Sequence, residues 1–474
     1  MSRNHKRSKN LGAVSGKVVA VIIVVIIVVA AAGVVAFELT KKPSSSKTTI
    51  TLNWSLSGSE LNYSLKHVIS GFEAAYPNIT VKTTDLSSTD IISALLAQKS
   101  AGKITTNVVE QDNGEMGALV SQNLVMPLNP YLGQLEAMTG GTTGYTANGT
   151  IIPAYYHEGF FNGSYYFFPY RGNVQLAYYN QSALSSAGAT VAPDNTTNLM
   201  TDMQLLSNKG YSTPFNMQGH GGASTPTQVF QWMAEFNGNP MVLNDAGDIA
   251  ALTYLQQLNQ KGLMSPEYAT SYWATYKGLA AGSYQYIPQW PYVTSLLQGL
   301  GMQNYTNVGT KAGTYNLGVS AVFKGPANTA QYIVGGDVLG VVSGSPNVWA
   351  SIDLINYMNS LSTQKGLLLN LSWPVVNEQA YNNLPSNISY LFQIFKYEEQ
   401  NGIFRPAVPW ISQWQTVFDT AWTTIMANNG NVTTALNTAH QSLLTYLQQN
   451  YPSQVSAFTN NQIYPSGNYV GPHS

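Results

Sequence analysis

Cysteine is missing from all 474 residues, which excludes a disulfide framework, a thiolate metal site, a thiol nucleophile and a cysteine-linked lipid. Charge is scarce as well. Charged residues make up 9% of the chain, against roughly a quarter in typical soluble proteins, so amides, hydroxyls, glycine and 30 tyrosines must keep the surface wet. The formal net charge of -1, with no basic stripe beyond the N-terminus, argues against a nucleic-acid partner. The six histidines show no H-E-x-x-H or other metal spacing, and there is no G-x-S-x-G elbow, no P-loop and no fixed-period repeat. No cofactor and no metal are expected. Low ionic content also has a physical use in acid. There, protonated carboxylates would leave Lys and Arg unbalanced and the fold would repel itself. The composition therefore points to an acid-living organism, with an archaeon among the candidates.

What is present begins at the N-terminus. Arg3, Lys6, Arg7, Lys9 and Lys17 precede the first acidic residue, Glu38, and residues 1–17 form a basic segment. Residues 18–37, from Val18 to Phe37, are uncharged and long enough to cross a bilayer as a helix. The positive-inside rule puts the remainder outside the cell. The apolar run continues through AAAGVVAF without a secretory exit site, so an uncleaved anchor is the first reading. A pilin-like signal processed near Ser15-Gly16 is the alternative, and it also leaves the helix attached. Eleven N-x-S/T sequons follow, at Asn53, Asn62, Asn78, Asn148, Asn162, Asn180, Asn195, Asn304, Asn370, Asn387 and Asn431, as suits an exported glycoprotein.

Residues 38–47 read as a linker, and the folded body begins near Thr48. Ile50, Leu52 and Trp54 alternate as in a strand. Leu61, Leu65, Val68, Phe72 and Tyr76 then recur at helical spacing until Pro77 stops them. A strand from Asn78 to Thr84, a helix from Asp90 to Ala101 and a strand from Asn107 to Glu110 complete a β-α-β-α-β run. It predicts an α/β fold on a parallel sheet with right-handed crossovers. Further on, Gln175 to Tyr179 predicts a strand, and Thr225 to Phe236, Asp248 to Asn259 and Ile352 to Leu361 predict helices. Trp414, Phe418, Trp422 and Ile425 share a helix face, and Ala435 to Gln448 predicts the last long helix.

The stretch SLSGSELNYSLK poses the central question of function. Ser57 and Glu60 have the spacing of a capping box, which would give Glu60 to the helix. Alternatively, the loop after a sheet strand faces the ligand crevice of an open α/β fold, and Ser59 and Glu60 would then meet a ligand hydroxyl. Asp112 and Asn113 occupy the matching place after the third strand. Aromatic rings in non-periodic positions, Tyr170, Trp232, Trp290 and Trp410, could stack on the apolar face of a sugar ring. Trp414 and Trp422 are assigned to the core. Glu60, Asp112 and Glu158 could instead supply the carboxylate pair of a glycoside hydrolase.

From Ile50 onward these segments resemble the extracellular solute-binding proteins of ABC importers, in the sugar-binding family related to maltose-binding protein. The resemblance rests on WSLSGSE, FEAAYPNITV, VVEQDNGEMGALVSQNLVMPL, YYFFPYRGNVQLAYYN, AGSYQYIPQWP, YIVGGDVLGV and FRPAVPW, taken in order. It implies a two-lobed periplasmic-binding-protein-like fold with hinge strands, a cleft between the lobes and no catalysis. The three lobe crossings are expected near Arg171, Val334 and Leu369. Lobe 1 would then hold residues 48–171 and 334–368, and lobe 2 residues 172–333 and 369–474. Carried over by motif, the ligand-binding positions are Ser59, Glu60, Asp112, Asn113, Tyr170, Arg171, Trp290, Gly336, Asp337 and Trp410, with Trp232 added from composition. The implied partners are a neutral sugar or oligosaccharide, ABC permease subunits, and the membrane through the N-terminal helix. A binding protein for a peptide or another polar solute is a further alternative. The family's lipobox cysteine is absent.

Overall fold

The computed structural model describes residues 47–464, except 57, 142–148, 157, 162, 190–192, 220–223, 270–274, 303–316, 322–323 and 327–330. The chain divides into two compact units, Met1–Thr48 and Thr49–Ser474. The expected membrane segment, residues 18–37, lies outside the described residues. Among the described residues, no helix is long and apolar enough to cross a membrane.

The strands are β1 (Thr48–Trp54), β2 (Ile79–Asp85), β3 (Val108–Asp112), β4 (Phe160–Phe161), β5 (Ser164–Tyr165), β6 (Phe167–Val174), β7 (Leu176–Asn180), β8 (Tyr286–Gln289), β9 (Leu317–Ala321), β10 (Ile333–Val341) and β11 (Ile403–Phe404). A first sheet runs β11-β10-β3-β1-β2, with β6 on the other edge of β10, and a second sheet runs β8-β7-β9. The opening strands and helices form where their periodicity predicts. Helical turns run from Gly58 to Ala75 and end before Pro77. The helix Ser88–Ser100 starts at a Ser87 cap whose Oγ accepts from the Asp90 N–H at 3.2 Å.

Sheet direction departs from expectation. β1 and β3 are parallel, but β10 runs antiparallel to both β3 and β6, and β7 is antiparallel to both its neighbours. The β-α-β-α-β run governs only the opening strands. β10 arrives from the second sheet, so it enters the first from the opposite end.

Burial is organised around two main cores. Ile50, Leu52, Trp54, Phe72, Ile352 and Ile355 share one; Trp232, Leu252, Trp414, Phe418 and Leu436 share the other. The chain passes between the sheets at Gln175, which joins β6 to β7, and again between β9 and β10. The third crossing is expected near Leu369. That residue lies inside the helix Leu361–Leu371, and Leu371, Trp373, Val375, Leu391 and Phe395 all stay in the first core. The helix Ile411–Trp422 packs into the second core.

Where β6 and β10 cross, Gly172 and Gly336 are register partners. Gly336 has φ +145°, and a Cβ there would strike the Arg171 carbonyl. At Gly172 a Cβ would collide with Glu399 Oε1 and the Tyr155 hydroxyl, which are bonded to each other at 2.7 Å. Gly172→Ala should therefore lower stability by about 3 kcal/mol, the upper range for overpacking a tight interior. Urea unfolding followed by tryptophan fluorescence measures this. A loss below about 1 kcal/mol would mean that the Glu399 side chain yields without cost.

Candidate functional site

Three strands bring a row of charge together. In register, Asp337 of β10 faces Asp112 of β3 on one side and Arg171 of β6 on the other. The Arg171 Nε lies 2.8 Å from Asp337 Oδ2 and 3.2 Å from Glu110 Oε1. Its guanidinium carbon sits 4.2 Å from the Trp373 ring centroid, a cation-π contact. The Trp373 indole N–H in turn donates to Glu60 Oε1 at 2.8 Å. Glu60 therefore reaches across to an indole; Ser57, the other half of the expected capping box, lies outside the described residues.

A second arginine extends the cluster. Arg405, which is 8% exposed, donates from Nη2 to Asp112 Oδ1 at 2.9 Å, to Asp112 Oδ2 at 3.1 Å and to Asn113 Oδ1 at 3.1 Å. From Nη1 it donates to Thr227 Oγ1 at 3.0 Å. Asn113 also donates to Glu158 Oε1 at 2.8 Å. Thr227 begins a different set of groups, since its neighbour Gln228 belongs to a buried amide network. Gln228 accepts from the Gln218 N–H at 2.8 Å, and Gln218 Oε1 accepts from the Trp290 indole N–H at 3.1 Å. Acids on the first sheet are thus tied, through Arg405 and the helix Ser224–Glu235, to an indole at the end of β8 in the second.

Burial sets the electrostatics. It pushes the carboxyl of Glu158 up to about 8, with Asp337, Asp112 and Glu399 adding to the rise and the Asn113 hydrogen bond opposing it. Burial likewise lifts Glu115 to about 7, and Asp112 adds to that. Glu60 is raised by burial against the lowering effects of Arg171 and Trp373. Glu110 and Asp337 share Arg171, and burial raises both. Asp337, at the shorter distance, is the ionised partner of the guanidinium. Burial alone would lower the pKa of Arg171, but Asp337 and Glu110 more than offset it and keep the group charged. The site can therefore offer carboxylic O–H donors beside carboxylate acceptors. The Tyr170 hydroxyl, in a residue 1% exposed, has no hydrogen-bond partner among the described residues.

Of the sequence candidates, Glu60, Asp112, Asn113, Tyr170, Arg171, Gly336 and Asp337 come together here. Trp290 stands at the second sheet's end of the chain of contacts. Ser59 is exposed on the first helical turn. Trp232 and Trp410 are corrections. Trp232 is fully buried in the second core, edge-on to Phe215 and stacked on Tyr254. Trp410, 1% exposed, packs edge-on to Phe458 and donates to Gln454 Oε1 at 2.6 Å. Both are closed into the second core instead. Sequence reasoning missed Glu110, Arg405 and Trp373. A usable signal existed for Arg405: after Arg7, Arg171 and Arg405 are the only arginines in the chain, and both sit in this cluster.

Two sheets, joined where the chain passes from one to the other at Gln175 and again between β9 and β10, make a two-lobed binding-protein fold. The chain belongs to the bacterial extracellular solute-binding protein family, whose model matches residues 67–383. Similar solved structures include the maltose-bound MalE3 of T. maritima, with 20% identity and a TM-score of 0.72, covering 84% of this chain and 100% of that one. The GacH receptor of Streptomyces glaucescens, solved unliganded and with acarbose, has 17% identity and a TM-score of 0.70, covering 85% and 99%. An ABC transporter solute-binding protein of Agrobacterium radiobacter K84, in complex with ribitol, has 16% identity and a TM-score of 0.69, covering 84% and 98%.

Proposed function

We propose that this protein is the extracellular substrate-binding subunit of an ABC importer, capturing a neutral sugar or small oligosaccharide and delivering it to the permease. The observation that carries this reading is the Asp112–Arg405–Thr227 bridge beside the Gln228–Gln218–Trp290 network. It joins acid and amide groups from both sheets at one place, with an indole at its edge. Such groups pair hydroxyls and the ring stacks on a sugar face. Arg171 and Arg405 already hold carboxylates, so neither is spare for an anionic ligand. The maltose, acarbose and ribitol held by the similar structures are hydroxyl-rich, which supports the same class. Ligand bridging the lobes would favour their closed arrangement by population shift, and the permease would read that form. The apolar segment 18–37 would tether the protein to the outer face of the cytoplasmic membrane, in an acidic medium.

Tryptophan fluorescence of the full chain, titrated with maltose, glucose, ribitol, glucuronate and a dipeptide, tests this reading. Saturable binding of a neutral member without release of smaller sugars is expected. Binding confined to the dipeptide, or sugar release abolished by Glu60→Gln, would replace the proposal with a peptide receptor or a hydrolase. Trp290→Ala should weaken the bound sugar by about 1 to 3 kcal/mol through lost stacking. Unchanged affinity by calorimetry would remove Trp290 from the site.

A further inference from the structure

The sequons divide sharply once the fold is known. Of the eleven, seven have described side chains: Asn53, Asn62, Asn78, Asn180, Asn195, Asn370 and Asn431. Asn53 is 3% exposed in β1 and donates to Thr106 Oγ1 at 3.2 Å. Asn62 is exposed, but it is helical and its sequon hydroxyl, on Ser64, is fully buried. The amide of Asn180 donates to Gln285 Oε1 at 3.0 Å, that of Asn195 to Asp194 Oδ1 at 2.9 Å, and that of Asn370 to Gly366 O at 2.8 Å. In each of these the nitrogen that would carry a glycan is bonded within the fold, or the hydroxyl that completes the motif is enclosed by it.

Asn78 and Asn431 differ. Asn78 lies in the turn closed by the Ile79 N–H to the Tyr76 carbonyl at 2.8 Å, with Pro77 before it; Asn78 and Thr80 are both exposed. Asn431 caps the helix Val432–Asn450 through its oxygen, which accepts from the Thr434 N–H at 2.9 Å. That leaves its Nδ2 unbonded, and Thr433 is exposed beside it. Asn431 also opens on a surface trough of about 310 Å³.

We propose that Asn78 and Asn431 are the N-glycosylation sites of the described body. The donor would be an oligosaccharide carried on a polyprenyl phosphate or diphosphate at the outer membrane face. Nδ2 attacks the anomeric carbon and a C–N bond forms. The sugar–oxygen bond breaks, the lipid phosphate leaves with the electron pair, and one Nδ2 proton passes to a base of the transferase. Two bulky, solvating chains suit a surface this poor in charge. Glycopeptide mass spectrometry of the full chain, purified from its own host, is the test. Glycan on Asn78 and Asn431, with Asn53, Asn62, Asn180, Asn195 and Asn370 bare, is the expected result. Thr80→Ala and Thr433→Ala should each remove one glycan from the intact mass while leaving the asparagine, and the Asn431 cap, in place. A bare Asn78 or Asn431 would overturn the assignment, and so would glycan on Asn53, which the folded chain buries, or on Asn180, whose amide nitrogen it binds.

Discussion

Arg171→Met is expected to destabilise the folded chain by about 3 to 5 kcal/mol at pH 8, the cost of breaking a buried charge network by removing one partner. The guanidinium serves two carboxylates, Asp337 at 2.8 Å and Glu110 at 3.2 Å, and lies on the Trp373 face. Methionine keeps much of the contact with Trp373, so the loss reports charge rather than volume. Without the cation, Glu110 and Asp337 lose the guanidinium they share, Asp337 keeps only the weaker influence of Arg405, and both carboxyls rise further. Protonation relieves their mutual repulsion, so the deficit should be smaller at pH 5 than at pH 8. Urea unfolding at both pH values separates the two contributions. A deficit under about 1 kcal/mol at pH 8 would mean that the acids never depended on the arginine.

Wild-type stability should itself rise as pH falls from 8 to about 5. Burial lifts Glu235 and Glu399 to about 8 and Glu115 to about 7, from an ordinary value of 4.5. All three residues are at most 2% exposed. A raised carboxyl holds its proton in the folded state where the unfolded chain has lost it. Stability from these groups is therefore fully present below pH 4.5 and is lost as pH rises through about 7 to 8. Each group contributes at most about 1.4 kcal/mol per pH unit across that window. The thermal midpoint should accordingly stand roughly 5 °C or more higher at pH 5 than at pH 8. A midpoint that instead falls on acidification toward pH 3 would count against both this account and the acid-medium reading of the composition.

These effects were unequally legible. The opening strands and helices follow from alternation and 3.6-residue periodicity, since local spacing alone decides which face is apolar. The strand-end acids were also readable: Asp112 and Glu60 follow strands, and a strand end in an open sheet faces the crevice. Trp232 and Trp410 misled because an indole's chemistry is the same in a core as in a site, and only packing tells them apart. Trp373 gave no signal at all. Its role depends on Arg171 and Glu60, which lie 202 and 313 positions earlier in the chain.

By itself, then, the amino-acid order determined a basic segment followed by an uncharged apolar run at the N-terminus, a composition poor in charge and the α/β pattern of the first strands. Each is a property of composition or of near neighbours along the chain. Only the tertiary structure decided that β10 runs against β3 and that Arg405 ties Asp112 to Thr227. Those facts rest on contacts between residues 178 or more positions apart, which form because burial of the apolar segments brings distant polar and charged groups within reach of one another.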